Sequence, residues 1–423
     1  MHFNYGIAAW QTRPPADLRL AVISDTHITH RGEGIQRFTR TLEIFSQITP
    51  AVDAYLLAGD ICYQIDKAGG GVCDVLYEEP YDMFLGAARR YIKDTPLVYV
   101  LGNHEFPQNN NGEEITADAI RLFCEKTGQP ERQHRVVNGH HIIAVGGENW
   151  TCALRPEDEA WVREEVKKAV ADTPRLPVFV MHHKSVAGTV TGAWNPRLFS
   201  EDYKEFLSQF PNVVNLTGDL HTPAQHPLAI YQNGYTAIHA PMNAVGNFGH
   251  YVDGSKEQMN MPTDGSHALL IEVRGGAVEI YRLDICKNLV IGDPYLIDIP
   301  GILDGTADFL YGADRAKDAK PPVFPADVKI TAEVKGDRLH FTFDAATQTP
   351  CGHNQDDRVP FYRLTLCKGD AELSAHCIPA EYWRYDAPLR VSGSIPLSAG
   401  ADCLKITPVS FFELAGEPIS VSL

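Results

Sequence analysis

The chain has 423 residues, 44% of them hydrophobic and 22% charged, which excludes disorder and a fibrous fold and fits one large globular domain with a smaller companion. Lys and Arg total 37 against 54 Asp and Glu, a formal net charge of −17 that repels polyanions, so neither duplex nucleic acid nor an anionic membrane is an expected partner. Met1 to Asp17 lacks an apolar signal core and no run approaches the roughly 18 apolar residues of a membrane span, so a cytoplasmic protein is expected.

From Leu18 to about Thr217, short β-branched and leucine-rich runs alternate with amphipathic stretches, the pattern of βαβ units. The expected strands are Leu18 to Ser24, Ala54 to Ala58, Leu97 to Leu101, His141 to Val145, Pro177 to Met181 and Val213 to Thr217. Between the first two, Ile35, Phe38, Leu42, Phe45 and Ile48 recur at spacings of three and four, which predicts a helix laid on the sheet. Pro156 followed by three acids predicts another helix start.

Past Gly218 the pattern changes. Ala268 to Arg274 and Ala277 to Leu283 read as two strands joined at Gly275-Gly276. Residues 301–325, rich in Gly, Asp and Pro, read as a linker between a catalytic domain over 1–300 and a small β-sandwich over 326–423. In that last part, alternation runs through Val328 to Val334 and Leu339 to Phe343, then again through Phe361 to Leu366 and Leu389 to Leu397. The fold class is therefore α/β, a layered β-sheet core with flanking helices, plus a C-terminal all-β sandwich. The 9 cysteines are odd in number and form no CxxC pair, so no disulfide framework or zinc ribbon is indicated; a pairing among Cys351, Cys367, Cys377 and Cys403 is the lesser reading.

Five polar clusters directly follow five of these strands: Asp25-Thr26-His27, Gly59-Asp60, Gly102-Asn103-His104-Glu105, His182-His183 and Gly218-Asp219-Leu220-His221. Ligands of open α/β sheets bind outside the carboxyl ends of the strands, so the five turns are expected to converge on one crevice. Asp, His and Asn are oxygen and nitrogen donors for divalent metals, and a pair of metal ions is the expected occupant. The glycines at 59, 102 and 218 are read as letting the backbone turn sharply out of each strand.

In this order the motifs DTH, GD, GNHE, HH and GDLH resemble the calcineurin-like metallophosphoesterase superfamily, over roughly Leu18 to Leu283. The resemblance implies a dinuclear metal-dependent phosphoric ester hydrolase in which a metal-bridging hydroxide attacks phosphorus. It implies that Asp25, His27 and His221 hold one metal, that Asp60 bridges, and that Asn103 and His182 hold the second. It further implies that His104 is an acid that meets the substrate and that Glu105 orients its imidazole. Two divalent ions, Mn, Fe, Zn or Mg, are the implied cofactors, and a small phosphoester the partner. The chain departs from the usual GHxH at Asp219, which either ligates the second metal through oxygen or leaves that site weak; ligation is the preferred reading.

Because His104 could protonate a poor leaving group, phosphodiesters are weakly preferred over monoesters. The alternative is a catalytically weak metal-binding scaffold that uses the sandwich for protein contacts. GDICY also matches a tyrosinate-iron pattern, but His27 fills that coordination position and Tyr63 is read as a packing or pocket residue. His183 is read as structural, since neighbours at a strand end point in different directions. The stretch Lys184 to Phe199, with Trp194 and Asn195, is either a surface loop or a lid. The long polar segment His239 to Ser266, with Asn243, Asn247, His250 and Tyr251, is the expected specificity loop. Trp194, Asn195, His250 and Tyr251 are the substrate-contact candidates.

Overall fold

The computed structural model describes residues 14–65, 72–151, 153–190, 199–200, 202–244, 247–252, 255–260, 265–349, 358–380 and 390–423. The chain divides into two compact units. The first takes in Met1–Ala224, Leu228–Gly249 and Asn260–Gly312, and the second Gln225–Pro227, His250–Met259 and Ala313–Leu423.

In chain order the first unit opens β1 (Leu18–Ile23), α1 (Ile35–Ser46), β2 (Ala54–Leu57), α2 (Glu79–Tyr91), β3 (Leu97–Tyr99) and α3 (Glu113–Thr127). It continues β4 (Arg132–Val137), β5 (His140–Val145), α4 (Pro156–Asp172), β6 (Val178–Met181), α5 (Tyr203–Leu207), β7 (Val213–Thr217), β8 (Ile230–Gln232) and β9 (Thr236–His239). After a ribbon of β10 (Asn247–Val252) and β11 (Ser255–Asn260), most of which belongs to the second unit, it ends with β12 (His267–Arg274), β13 (Ala277–Asp284), β14 (Leu289–Asp298) and α6 (Ile299–Asp304).

These strands make two six-stranded sheets, ordered β14-β13-β12-β1-β2-β3 and β4-β5-β6-β7-β9-β8. The layered β-sheet core expected from the sequence is thus built of two sheets. The reason is visible in the alternation along the strands. Leu18, Leu20 and Val22 of β1 and Phe179 and Met181 of β6 enter one common core, so the sheets pack face to face. The other faces meet helices: Ala21 and Ile23 pack with Phe38 and Phe45 of α1, and Val178 and Val180 with Val162 and Val166 of α4. The result is four layers, α/β/β/α. In the first sheet β1-β2-β3 form a parallel half ending at the edge strand β3 and β14-β13-β12 an antiparallel half, whereas the second is parallel at its centre, β5-β6-β7-β9, with antiparallel β4 and β8 at its margins.

The second unit contains β15 (Ile330–Lys335), β16 (Arg338–Asp344), β17 (Phe361–Lys368), β18 (Ala371–Pro379), β19 (Arg390–Pro396), β20 (Cys403–Val409) and β21 (Ile419–Ser422). They form antiparallel sheets β15-β16-β19 and β18-β17-β20-β21. Leu339, Phe341 and Phe343 of the first enclose a core with Tyr362, Leu364, Leu404 and Ile406 of the second, a sandwich built on period-two alternation. Cys367 and Cys403 face each other across β17 and β20 as free thiols, and Cys377 forms no disulfide bond. Cys351 lies outside the described residues. No helix among the described residues is long and apolar enough to cross a membrane.

Candidate metal centre

The ends of β1, β2 and β3 in one sheet and of β6 and β7 in the other deliver side chains to one place. Asp25, His27, Asp60, Asp219 and His221 all have positive φ, between 49° and 73°. For non-glycine residues this left-handed conformation is costly, about 1–3 kcal/mol each, and persists only where the surroundings impose it. Here it turns each side chain out of its strand and inward. The glycines contribute chiefly by proximity. A Cβ on Gly102 would fall 2.2 Å from Asp60 Oδ1, and one on Gly218 would fall 2.0 Å from Ser24 Oγ and 2.9 Å from Asp25 Oδ2. Only Gly59 of the three also has positive φ, +92°.

Asp25 and Asp60 form a buried floor, 0% and 1% exposed, and the imidazoles of His27, His104 and His221 stand at 14–16% exposure above them. The ligand atoms of Asp25, His27, Asp60 and His221 lie within 4.8 Å of one another. His27 Nε2 and His221 Nε2 are 3.0 Å apart, and His221 Nε2 is 3.2 Å from Asp25 Oδ1. Asp60 Oδ1 accepts the backbone N–H of His104 at 2.7 Å, which leaves Oδ2 aimed between His183 Nε2 at 3.2 Å and His27 Nε2 at 3.8 Å.

The electrostatics are those of a cation site. Burial alone would raise both carboxyls; the imidazoles reverse this, His221 foremost at Asp25 and His183 at Asp60, and hold both well below the usual range. His183 moves the other way, pushed up to about 10 because Asp60 outweighs its burial. His221 is raised for the same reason by Asp25. Protons collect where a metal ion would compete for the same lone pairs.

Between the neighbouring histidines the structure reverses the sequence expectation. His182 faces away: its Nδ1 donates to the Lys184 carbonyl at 2.7 Å, its Nε2 accepts from Asn215 at 3.0 Å, and its ring packs on Phe199 and Tyr203. Burial pulls it down to about 4. His183 faces the site, its Nδ1 donating to the Ala58 carbonyl at 2.7 Å and its Nε2 turned to Asp60. A backbone carbonyl that fixes one ring nitrogen as donor leaves the other as a lone pair, the usual support for a metal-binding histidine. Alternation along β6 carried the signal: Val178 and Val180 face the helix layer, as does His182, whereas Phe179 and Met181 face the inter-sheet core, as does His183.

Glu105 also departs from expectation. It does not touch the His104 ring; its buried carboxylate accepts backbone N–H groups of Asp60, Cys62 and Gly102 and the Tyr99 hydroxyl. His104 instead stands in an aromatic surround, with Tyr63 at 4.1 Å, His27 at 4.6 Å and Trp150 at 4.8 Å between centroids. Trp150 was not singled out in the sequence, where no motif marks it. Burial and Asp60 push the Tyr63 phenol up to about 12, so it is neutral near pH 7.

Asp219 arrives at the site, 3.8 Å from His183 Nε2, but its Oδ1 accepts from the Lys184 ammonium. Asn103 is buried, with its Oδ1 lacking a hydrogen-bond partner, while Asp60 Oδ2 and His183 Nε2 face each other at 3.2 Å. A buried carboxylate oxygen and imidazole nitrogen with only each other as partners, and a buried amide oxygen with none, are a donor set that a cation would satisfy. Asn243, in the expected specificity segment, is buried and binds Thr41, Ser266 and the His267 carbonyl, a structural role. Trp194 and Asn195 lie outside the described residues, and so do the side chains of His250 and Tyr251, whose backbone forms part of β10.

A family model described as calcineurin-like phosphoesterase matches residues 18–238. Among solved structures, the chain is similar to a predicted phosphoesterase from Streptococcus pneumoniae TIGR4, at 11% identity over 66% of this chain and 92% of that one, with a TM-score of 0.27. It is also similar to wild-type Vps29 from Entamoeba histolytica complexed with Zn²⁺, at 14% identity over 67% and 99%, with a TM-score of 0.30. Vps29 from Chaetomium thermophilum matches at 13% over 66% and 97%, with a TM-score of 0.30. No curated protein matches the chain.

Proposed function

The chain belongs to the calcineurin-like phosphoesterase family, and on that premise we propose that it is a dinuclear metal-dependent phosphoric ester hydrolase acting on phosphodiesters. The observation that carries the reading is the closed quartet of Asp25, His27, Asp60 and His221, with His183 Nε2 facing Asp60 Oδ2 at 3.2 Å and the buried Asn103 Oδ1 left without a hydrogen-bond partner. Asp25, His27 and His221 would hold one ion and Asn103 and His183 the other, with Asp60 Oδ2 directed between the two sets. Bound divalent ions supply Lewis acidity toward phosphoryl oxygens and lower the pKa of water to near neutrality.

The residues do the rest. Asp60 is held in place by the His104 amide, so one carboxylate can serve both sets without rotating. His104, whose pKa burial holds well below the usual imidazole value with help from His27 and His221, is placed to meet the ester and offer the departing oxygen the N–H of a neutral ring. Tyr63 and Trp150 flank it and offer aromatic surface to the leaving group. The net charge of −17 favours a diester, with one negative charge, over a monoester with nearly two.

The test is hydrolysis by metal-depleted protein reconstituted with Mn²⁺, Fe²⁺, Zn²⁺ or Mg²⁺. Substrates are bis(p-nitrophenyl) phosphate, p-nitrophenyl phosphate and pyrophosphate. Metal-dependent turnover with the diester fastest is expected. Faster monoester turnover would overturn the diester preference, and a metal-loaded protein inert on the whole panel would overturn the hydrolase reading.

A further inference from the structure

Lys184 directly follows the two histidines at the end of β6, and its ammonium donates to Asp219 Oδ1. The two side chains are only 12% and 13% exposed, so this is no solvated rim pair. The same Oδ1 is the Asp219 oxygen that approaches His183 Nε2, at 3.8 Å. The Asp219 amide in turn lies 3.2 Å from both oxygens of Asp25, which fixes the residue from its backbone side as well.

The two halves of the centre therefore differ in kind. On the Asp25 side, two carboxylates and two imidazoles close on one another. On the His183 side, Asp60 Oδ2 and His183 Nε2 face each other at 3.2 Å and Asn103 Oδ1 has no hydrogen-bond partner, but the fourth candidate donor, Asp219, already holds a cation. A carboxylate paired with an ammonium is net neutral, so it no longer draws a divalent ion by charge, and the lone pairs of the nearer oxygen are engaged.

We propose that Lys184 is a positioning residue that keeps Asp219 out of the second cation's ligand set and so makes that position the weaker of the two. The inference rests on the dinuclear reading above. A cation entering beside His183 finds three donors and a fixed positive charge on the fourth.

The experiment is a Mn²⁺ titration of the full-length, metal-depleted protein. Bound and free ions are counted by electron paramagnetic resonance, the spin-coupled pair is read from its own signal, and the fold is checked by circular dichroism. Wild type is expected to bind one ion tightly and a second about tenfold or more weakly, with the coupled signal appearing late. Lys184→Met frees Asp219 and should tighten the second ion by about tenfold or more while leaving the first unchanged. Lys184→Arg should keep the second ion weak. Adding Asp219→Asn to Lys184→Met should cancel the gain, since the gain is carried by that carboxylate. Two equally tight ions in wild type, or a folded Lys184→Met protein with unchanged second-ion affinity, would overturn the role of Lys184 and leave the metalloenzyme reading standing. Failure of wild type to bind any Mn²⁺ would remove both.

Discussion

The Glu105 carboxylate accepts the backbone N–H of Asp60 at 3.0 Å, tying the loop after β3 to the loop after β2. The same carboxylate takes the N–H of Cys62 at 2.7 Å and of Gly102 at 2.5 Å, and the Tyr99 hydroxyl at 2.6 Å. It is fully buried, and burial with help from Asp60 pushes it up to about 7 against those donors. Glu105 is thus a clamp on the backbone that presents Asp60.

Glu105→Gln puts an amide NH2 where donors already converge, leaving at least one buried N–H unpaired. The expected cost is about 2–4 kcal/mol of stability in urea unfolding, with metal affinity lowered about 10–100-fold because Asp60 is no longer held. Unchanged metal affinity in a destabilised protein would show that Asp60 keeps its place without the clamp.

His182 and His183 should separate cleanly by substitution. His183→Ala removes a group turned toward Asp60 and is expected to lower second-ion affinity by about 10–100-fold. His182→Ala removes two hydrogen bonds in a packed layer, to the Lys184 carbonyl and from Asn215, and is expected to cost about 1–3 kcal/mol while metal stoichiometry stays the same. Calorimetric metal titration beside thermal unfolding gives both readings. Loss of metal from His182→Ala at intact stability would restore the opposite assignment.

The strands and the location of the centre were legible because the apolar runs at Leu18, Ala54, Leu97, Val178 and Val213 each end in a polar cluster that a packed core would not contain. The two-sheet arrangement was less so. β4, β8 and β9 carry polar or short segments, such as RQHRVV and IYQ, that no periodicity distinguishes from loops, and β9 is a parallel neighbour of β7. Asp25 and Asp60 followed from their strand-end positions and the DTH and GD motifs, but the choice between His182 and His183 depends on the parity of β6, which FVM carries. The Lys184–Asp219 pair could not be read in advance, because 35 residues separate partners that only the β6-β7 pairing brings together.

His104 is placed to act on the ester, and His104→Ala is expected to lower turnover about 10²- to 10⁴-fold without changing metal content. A leaving group that scarcely needs a proton, such as nitrophenolate, should suffer less than an alkoxide. Comparing kcat/KM for a nitrophenyl and an alkyl diester in wild type and variant makes the distinction. Equal losses on both would assign His104 to charge at phosphorus rather than to the leaving oxygen.

A histidine away from the centre is expected to contribute to acid sensitivity. His267 begins β12 almost fully buried, its backbone N–H donating to the Met242 carbonyl at 3.0 Å, and burial followed by Lys287 pulls its imidazole down to about 3. In the unfolded chain the same group titrates near 6.5, at about the value of a free histidine. Between those two values the unfolded chain binds a proton that the folded protein does not, so stability is fully present above about pH 6.5 and is lost as pH falls, at about 1.4 kcal/mol per pH unit. His267→Asn should lower stability at pH 7 but flatten the acid limb by close to that slope, measured on metal-depleted protein by urea unfolding from pH 7 to pH 4. Because His239 and His182 are also held near 4, principally by burial, the variant should keep part of the slope. An acid limb as steep as that of wild type would mean that His267 gains its proton without unfolding, through local opening at the start of β12.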